Sequence, residues 1–221
     1  MYSCPGCGTA VEETSRFCAS CGGELPAGRP SRLGVYDLVG VIGRGATGVV
    51  YLATDSRSGG QVAVKVLDPV LATLPGYAER LHAESDVLAR LADPHLVTVY
   101  GTDQDQGRLF LVTEYVRGAS LRVVEQRSGR LTPEQALGLV AGSLAGLGVA
   151  HGHGLVHGDV KPENIVVDES GISKLIDFGQ VVVAGGSALG GTPAYMSPEA
   201  ARGQPLEQRS DLYSICLLYT S

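Results

Sequence analysis

A glycine-rich turn between two apolar segments constrains the fold of this chain more than any other feature. Residues 36–54 read YDLVGVIGRGATGVVYLAT, with Gly43, Gly45 and Gly48 followed by Val50. Dinucleotide-binding folds use a similar glycine spacing, but there a helix follows the glycines directly. Here the next residues, VVYLAT, are β-branched and aromatic, which predicts a second strand. We therefore predict a β-hairpin whose turn can approach phosphate groups through backbone N–H groups.

The lysines are informative because there are few of them. Only Lys65, Lys161 and Lys174 occur, among 17 lysines and arginines together. Lys65 lies in the predicted strand QVAVKVL, and a lysine among apolar neighbours is costly unless an anion accompanies it. The segment 77–92 has leucines at helical spacing around Glu84, so we expect Glu84 to be that anion rather than a solvated helix residue. Lys174 is expected at the surface.

The remaining pattern predicts strands followed by helices, which indicates an α+β fold. A helix is predicted over 131–151, because Thr132 is a good N-cap, Pro133 suits the first turn and Gln135 completes a capping box. Several glycines lower its intrinsic propensity, so packing must stabilise it. Further strands are predicted over 96–102 and 108–116, and as two short strands within 165–179.

The N-terminus carries two CxxC pairs, formed by Cys4 with Cys7 and by Cys18 with Cys21. Two such pairs can complete a tetrahedral Cys₄ zinc site, and a unit this small needs the metal in order to fold. Two disulfides are the alternative, which the missing secretory signal makes less favoured. We predict a zinc ribbon over 1–24 and a linker over 25–34, LPAGRPSRLG. The charged residues of this segment are Glu12, Glu13, Glu24 and Arg16, and this mainly acidic set argues against nucleic-acid binding.

Three short motifs follow in the second half of the chain. LVHGDVKPENIVV occupies residues 155–167, Asp177-Phe178-Gly179 comes next, and Ser197-Pro198-Glu199 lies after a glycine-rich segment. Together with the glycine turn and Lys65, this ordered set resembles the Hanks-type protein kinases, most closely the bacterial serine/threonine kinases. The resemblance covers residues 35–221. It implies a bilobal fold, with a β-rich N-lobe and an α-rich C-lobe.

The resemblance implies that ATP and Mg²⁺ are bound by this domain. Lys65 would contact the α- and β-phosphates and pair with Glu84, while residues 114–116 form the hinge that reads adenine and Thr113 is the gatekeeper. The positions implied in nucleotide binding are Gly43, Gly45, Gly48, Val50, Ala63, Lys65, Glu84, Glu114, Val116, Asn164 and Asp177.

The resemblance also assigns the catalytic positions. Asp159 would accept the proton of the substrate hydroxyl, Lys161 would neutralise charge on the transferring phosphoryl group, and Asn164 and Asp177 would hold Mg²⁺. Lys161 two residues after Asp159, together with Thr192, is typical of kinases that act on serine and threonine. Protein substrates with these hydroxyls are therefore the expected partners.

Gly158 departs from the family pattern, because an arginine usually precedes the catalytic aspartate. That arginine meets a phosphorylated residue of the activation loop, so its replacement removes the main charge partner of loop phosphorylation. The chain resembles a non-RD kinase, and we expect its activity to depend only weakly on loop phosphorylation. Asp159 itself is present, so the change concerns regulation.

Charge and hydropathy restrict the other function classes. The net charge of −6 at pH 7 makes a poor nucleic-acid binder, and no apolar run approaches the length of a membrane span. Without a signal peptide, we expect a cytoplasmic location. A pseudokinase that binds nucleotide as a scaffold is the main alternative, and a zinc-ribbon nucleic-acid adaptor is another. The complete set of catalytic positions favours the enzyme.

The end of the chain is unusual. Asp211 matches an aspartate on a long buried helix of the family, and only ten residues follow it. We therefore expect a kinase domain truncated in its C-lobe. The last six residues, CLLYTS at 216–221, are consistent with a translated sequencing adaptor, and a genuine helical segment is the alternative.

Overall fold

The computed structural model describes residues 2–3, 7–11, 18–22, 31–177, 182–183 and 192–220. The chain divides into two units. One consists of residues 1–73 and 103–112, and the other of residues 74–102 and 113–221. The first is rich in strands, and the second contains all the described helices except one short helix at Pro69–Ala72. This agrees with the predicted α+β class.

Most of a six-stranded sheet lies in the β-rich unit, and its strand order is β3-β4-β5-β6-β8-β7. A separate antiparallel pair, β1 and β2, lies near the N-terminus. One short helix, α1, follows β6. The bounds are β1 (Tyr2–Ser3), β2 (Ala10–Val11), β3 (Arg32–Leu33), β4 (Tyr36–Gly45), β5 (Gly48–Asp55), β6 (Gln61–Leu67), α1 (Pro69–Ala72), β7 (Val99–Asp105) and β8 (Arg108–Glu114).

Alternation along the strands creates the core of this unit. Tyr51 on β5 and Val64 on β6 lie directly opposite each other, and both are buried. Successive side chains point to opposite faces of a strand, so every second residue faces the core. Tyr36 and Phe110 meet edge-to-face there, with ring centroids 6.1 Å apart. The predicted hairpin and the predicted strand over 61–67 are confirmed.

The α-rich unit combines five helices with short strands. A three-stranded sheet has the order β12-β11-β9, and β10 pairs with β13. Single 3₁₀ turns occupy Pro162–Asn164 and Pro193–Tyr195. The bounds are α2 (Tyr77–Leu88), β9 (Gly118–Ser120), α3 (Leu121–Ser128), α4 (Pro133–Gly152), β10 (Leu155–Val156), β11 (Ile165–Asp168), β12 (Ser173–Leu175), β13 (Val182–Val183), α5 (Pro198–Ala201) and α6 (Gln208–Thr220).

Helix α4 confirms the predicted cap and explains its glycines. Thr132 Oγ1 accepts a hydrogen bond from the backbone of Gln135, whose side chain accepts one from the Thr132 N–H. A Cβ atom at Gly142 would lie 2.5 Å from a side-chain oxygen of β12, and one at Gly146 would lie 2.8 Å from the carbonyl oxygen of His95. The glycines that weaken the helix therefore allow the neighbouring segments to approach it closely.

Several boundaries differ from the sequence-based expectation, and several short elements were not predicted. Helix α2 ends at Leu88 instead of 92. Strand β7 begins at Val99 instead of 96, because Leu96 and Val97 pair with Leu175. Neither β9 nor α3 was expected, although Ser120 caps α3 by accepting a hydrogen bond from Val123 N at 3.4 Å.

Candidate active site

The register of the β-rich unit gathers the predicted nucleotide-binding residues on one face of the sheet. Val50 on β5 lies opposite Gly43 on β4 and opposite Lys65 on β6. Directly opposed residues share a face, and so do residues two apart on one strand. Ala63 therefore lies on the same face as Lys65. The other face of these strands forms the core.

The predicted glycine turn is a tight hairpin connection. Gly45 and Gly48 are cross-strand partners that flank a two-residue turn. Gly48 has φ of +150°, and a Cβ atom there would lie 2.1 Å from the carbonyl oxygen of Val66. Only glycine fits at this position without a backbone shift, whereas a Cβ atom at Gly45 would meet nothing within 4 Å.

Both residues of the predicted ion pair are buried. Lys65 lies on β6 and Glu84 on α2, and each is 6% exposed. Within α2, Arg80 Nε lies 3.9 Å from Glu84 Oε1 and its guanidinium lies 5.5 Å from the centre of the Tyr77 ring. Burial raises the pKa of the Tyr77 hydroxyl above its usual value. Glu84 is therefore not the solvated helix residue of the alternative interpretation.

Asp159 is the centre of a hydrogen-bond network in the α-rich unit. Its Oδ2 atom accepts a hydrogen bond from Lys161 Nζ at 2.6 Å and one from Asn164 Nδ2 at 3.2 Å. Its Oδ1 atom lies 3.2 Å from the backbone nitrogen and 3.3 Å from Oγ1 of Thr192. Lys161 Nζ also donates to Thr192 Oγ1 at 2.9 Å. Donors therefore hold both carboxylate oxygens, with a positive charge beside them, and this can orient a base and stabilise developing anionic charge.

Asn164 links this network to the predicted metal ligand Asp177. The Asn164 side chain also donates to the backbone carbonyl of Asp159 at 2.8 Å. The backbone carbonyl of Asn164 accepts a hydrogen bond from Ile176 N at 2.9 Å. Asp177 follows directly and has φ of +63°, in the left-handed region that non-glycine residues rarely adopt. Such strain is concentrated at functional sites. An amide and a carboxylate oxygen in neighbouring segments suit Mg²⁺ chemically.

Asp211 fixes the backbone that precedes Asp159. Its carboxylate accepts hydrogen bonds from the N–H groups of His157 at 2.9 Å and Gly158 at 2.8 Å, and His151 Nε2 lies 2.7 Å away. The His157 ring accepts from Asp159 N through Nδ1, so its Nε2 carries the proton and donates to Ile176 O at 3.0 Å. Gly158 has φ of +76°. The glycine thus fits a left-handed position, a reason that the motif comparison did not supply.

The predicted hinge residue Glu114 is held from several sides. Its backbone N–H donates to Thr98 O at 2.8 Å, and its Oε2 atom accepts from Thr98 Oγ1 at 3.2 Å. Thr113 Oγ1 donates to the Glu114 carbonyl at 3.2 Å. Lys174 forms an ion pair with Glu114 and its side chain is 19% exposed. Lys174, which was expected at the surface, is partly exposed there, and its pairing with a residue 60 positions away could not be predicted from the local pattern. Val116 is half-buried.

Sequence reasoning missed Arg122, which bridges three segments. Its Nε donates to Glu163 at 2.9 Å, its Nη2 to the Tyr195 hydroxyl at 3.1 Å and its Nη1 to Glu125 at 3.4 Å. Burial opposes ionisation of Glu163, but the bond from Arg122 holds the pKa of that carboxyl below its usual value. Glu163 lies between Lys161 and Asn164, so Arg122 ties α3 to the catalytic loop. An arginine next to a helix N-cap gave no signal of this role.

Three of the four predicted zinc ligands converge near the N-terminus. The sulfur atoms of Cys7, Cys18 and Cys21 lie within 4.8 Å of one another, and those of Cys7 and Cys18 are 3.5 Å apart. A disulfide bond is about 2.05 Å long, whereas zinc–sulfur bonds of about 2.3 Å imply sulfur separations of about 3.8 Å in a tetrahedron. Hydrogen bonds with Thr9 lower the pKa of Cys7 to about 6, which favours the metal-binding thiolate. These three residues fit zinc.

Several predicted residues lie outside the described part of the chain. They are Cys4, Phe178 and Gly179.

The comparison with known families agrees with this arrangement. The family described as protein kinase domain matches residues 36–221. The chain belongs to this family. The predicted resemblance is therefore confirmed at the level of the kinase domain.

Curated kinases are similar over most of this chain. Probable serine/threonine-protein kinase SCO3848 of Streptomyces coelicolor is 41% identical over 204 residues, which cover 86% of this chain and 30% of that protein. Serine/threonine-protein kinase PknD of Mycobacterium tuberculosis is 36% identical over 85% of this chain and 29% of its own length. PknB of Mycobacterium leprae is 39% identical over 83% of this chain and 32% of its own length. The chain thus spans less than a third of these relatives.

A solved structure supports the kinase fold. The crystal structure of the M. tuberculosis PknI kinase domain matches with a TM-score of 0.70 at 31% sequence identity, covering 84% of this chain and 71% of that chain. The predicted bilobal, kinase-like α+β fold is confirmed. Within the described residues, none of the helices combines the length and the apolar character that a membrane span needs.

Proposed function

We propose that this protein transfers the γ-phosphoryl group of ATP to serine and threonine hydroxyls of protein substrates and so serves in signalling. The observation that carries the proposal is the Asp159 network, in which Lys161, Asn164 and Thr192 all donate to one buried carboxylate. Asp159 accepts the proton of the attacking hydroxyl, which increases the nucleophilicity of that oxygen. Lys161 offsets negative charge as the phosphoryl group moves.

Nucleotide binding is assigned to the residues that the family pattern implies. The sheet face with Val50, Ala63 and Lys65 contacts the nucleotide, and Glu84 supports Lys65. The glycines at 43, 45 and 48 cover the phosphates, and the backbone of Glu114 and Val116 reads adenine. Asn164 and Asp177 hold Mg²⁺, which neutralises phosphate charge when it is bound.

Gly158 defines the regulation that we propose. No guanidinium is available at this position to pair with a phosphorylated loop residue, so activity depends weakly on loop phosphorylation. Treatment with a phosphatase should leave the rate of phosphoryl transfer within about two-fold of the untreated rate, because a loop phosphate has no arginine at position 158 to pair with. Abolished activity after treatment would contradict this.

We further propose that residues 1–24 form a zinc ribbon, joined by a linker over 25–34 to the kinase domain at 35–221. Cys4 would complete the site with Cys7, Cys18 and Cys21, and a bound zinc ion would stabilise the small ribbon against unfolding. The ribbon serves as a protein-docking or sensor module, and the protein works in the cytoplasm.

Zinc content tests the ribbon directly. We expect one zinc ion per chain by metal analysis of the purified protein. Cys7→Ser should lose it, because only three thiolates remain. Cys216→Ser should keep it, because this exposed cysteine is far along the chain from the four ligands. Full zinc content in Cys7→Ser would refute the site.

The activity is tested by transfer of radiolabelled phosphate from ATP with Mg²⁺. Lys65→Met and Asp159→Asn should each abolish incorporation into serine or threonine, because one removes a phosphate contact and the other the base. Asp86→Asn on the exposed side of α2 is a matched control and should remain active. No incorporation by the unaltered protein, with ATP still bound, would contradict the transferase and indicate a nucleotide-binding scaffold.

A further inference from the structure

Lys174 is the one lysine without a role in the proposed mechanism. It lies on β12, where Lys174 is the cross-strand partner of Val166, and its ammonium group pairs with the Glu114 carboxylate. The two side chains are only 19% and 23% exposed. A partly buried ion pair loses hydration on both sides, so it persists only when its geometry is good. The lost hydration makes this pair more than a solvated surface contact, so we asked which part of the fold it holds in place.

Glu114 is restrained at its backbone as well as at its side chain. Thr98 accepts from the Glu114 N–H at 2.8 Å and donates its hydroxyl to Oε2 at 3.2 Å. Lys174 holds the other carboxylate oxygen, Oε1. With both oxygens held, the side chain cannot rotate without breaking one of these bonds. The backbone of residues 114–116 is thereby fixed at its first residue.

The strand that carries Lys174 is equally well anchored. Leu175 N donates to His95 O at 2.8 Å, and Leu175 O accepts from Val97 N at 2.9 Å. Ile176 N then donates to Asn164 O at 2.9 Å, and Asp177 follows. Lys174 thus projects from a strand that leads directly to the proposed metal ligands. The ion pair joins this strand to the segment that is proposed to read adenine.

Space on the outer side of the pair allows Lys174 to be replaced. A cavity of about 320 Å³ is lined by Glu114, Asp168, Ser170 and Lys174, among others. Methionine or arginine at position 174 therefore need not overpack the site. A loss of function in such variants would report the lost contact and not a steric clash.

We propose that Lys174 is a positioning residue for adenine recognition, which acts by fixing Glu114 and hence the backbone of residues 114–116. This inference rests on the proposed ATP-dependent activity. Lys174 does not touch the nucleotide in this role. Its removal should weaken the binding of any ligand that uses the adenine-reading backbone, whether or not the ligand carries phosphates.

The test compares adenosine with ATP. Lys174→Met should lower the affinity for adenosine and the affinity for ATP by the same factor of about five. A loss of this size is expected for one partly exposed ion pair. KM for ATP should rise by the same factor and kcat should remain nearly constant, because the interaction is equal in the ground and transition states. Lys174→Arg should restore most of the affinity. Arg90→Gln, which removes an exposed positive charge on the surface, should behave like the unaltered protein.

A double variant tests the route through Glu114. If Lys174 acts through this carboxylate, the two losses should not add. The double variant Lys174→Met, Glu114→Gln should then bind adenosine as tightly as whichever single variant binds it less tightly. Additive losses would overturn the proposal. So would a loss of ATP binding with unchanged adenosine binding, since Lys174 would then act as a charge for phosphate.

Failure of the proposed function would be distinguishable. A protein that binds adenosine but transfers no phosphate would contradict the activity, and the affinities would still decide the role of Lys174. A protein that binds neither adenosine nor ATP would overturn both proposals. Thermal unfolding of each variant identifies any that merely fails to fold.

Discussion

The backbone conformation at Gly158 predicts that replacing this glycine by alanine destabilises the protein, whereas the same replacement within a helix is stabilising. The φ of +76° at Gly158 is left-handed, and its N–H donates to Asp211 at 2.8 Å. A residue with a Cβ atom pays about 1 kcal/mol or more in this conformation. Gly158→Ala should therefore destabilise the protein by about 1 kcal/mol. In a domain of this size, that lowers the melting temperature by about 2–4 °C.

The matched control is the same substitution within a helix. Gly148 lies in α4, is exposed, and a Cβ atom there would meet nothing within 4 Å. Gly148→Ala should stabilise the protein by about 1 kcal/mol, because alanine has the higher helix propensity. Urea and thermal unfolding of both variants would show opposite shifts. A neutral or stabilising Gly158→Ala would refute the argument from the left-handed backbone.

Gly158→Arg separates the backbone cost from the effect of the charge. If the conformation alone decides the cost, arginine should destabilise the protein as much as alanine does. A clearly smaller loss for arginine would mean that its guanidinium finds an acidic partner. Phosphoryl transfer should continue in both variants, because Asp159 and its donors are unchanged.

Three further substitutions have definite expected outcomes. Asp211→Ala removes the acceptor for two backbone N–H groups of the catalytic loop, each costing about 1–3 kcal/mol, so urea unfolding should show a loss of about 3 kcal/mol or more. Gly48→Ala should lower the melting temperature more than Gly45→Ala, because only its Cβ atom would lie 2.1 Å from a carbonyl oxygen. Hydrogen bonds from Arg57 lower the pKa of Asp55, so this carboxylate stabilises the fold above about pH 4 and the contribution is lost as the pH falls. Between pH 5 and pH 2, the free energy of unfolding should therefore fall less steeply in Asp55→Asn than in the unaltered protein. Equal slopes in the two proteins would refute the assignment.

The local features of the fold could be predicted because they depend on short-range physics. Strand β6 has the predicted bounds, and the capping box of α4 forms between Thr132 and Gln135. Alternation, turn glycines and caps each involve residues at most four apart, so the sequence contains the whole signal. The identity of the candidate catalytic positions also came from short motifs, in which Asp159, Lys161 and Asn164 lie within six residues.

The features that the sequence did not reveal are contacts between distant parts of the chain. Lys174 was expected at the surface, and its ion pair with Glu114, 60 residues away, was not predicted. Arg122 attracted no attention, yet it bonds to Glu163 and Tyr195, which lie 41 and 73 residues along the chain. Both side chains look like ordinary surface charges in their local sequence. Their partners depend on how β12 and α3 pack in the folded chain.

The sequence by itself determined the family, the α+β class, the hairpin and the order of the candidate catalytic residues, because each has a signature within a few neighbouring positions. Only the tertiary structure decided which donors hold Asp159, which backbone conformation Gly158 adopts and where Lys174 finds its partner. These depend on backbone angles and on distances across the fold. The physical reason is that the partners of an ion pair, and of a residue in a left-handed conformation, are the groups that folding brings within about 3 Å of it.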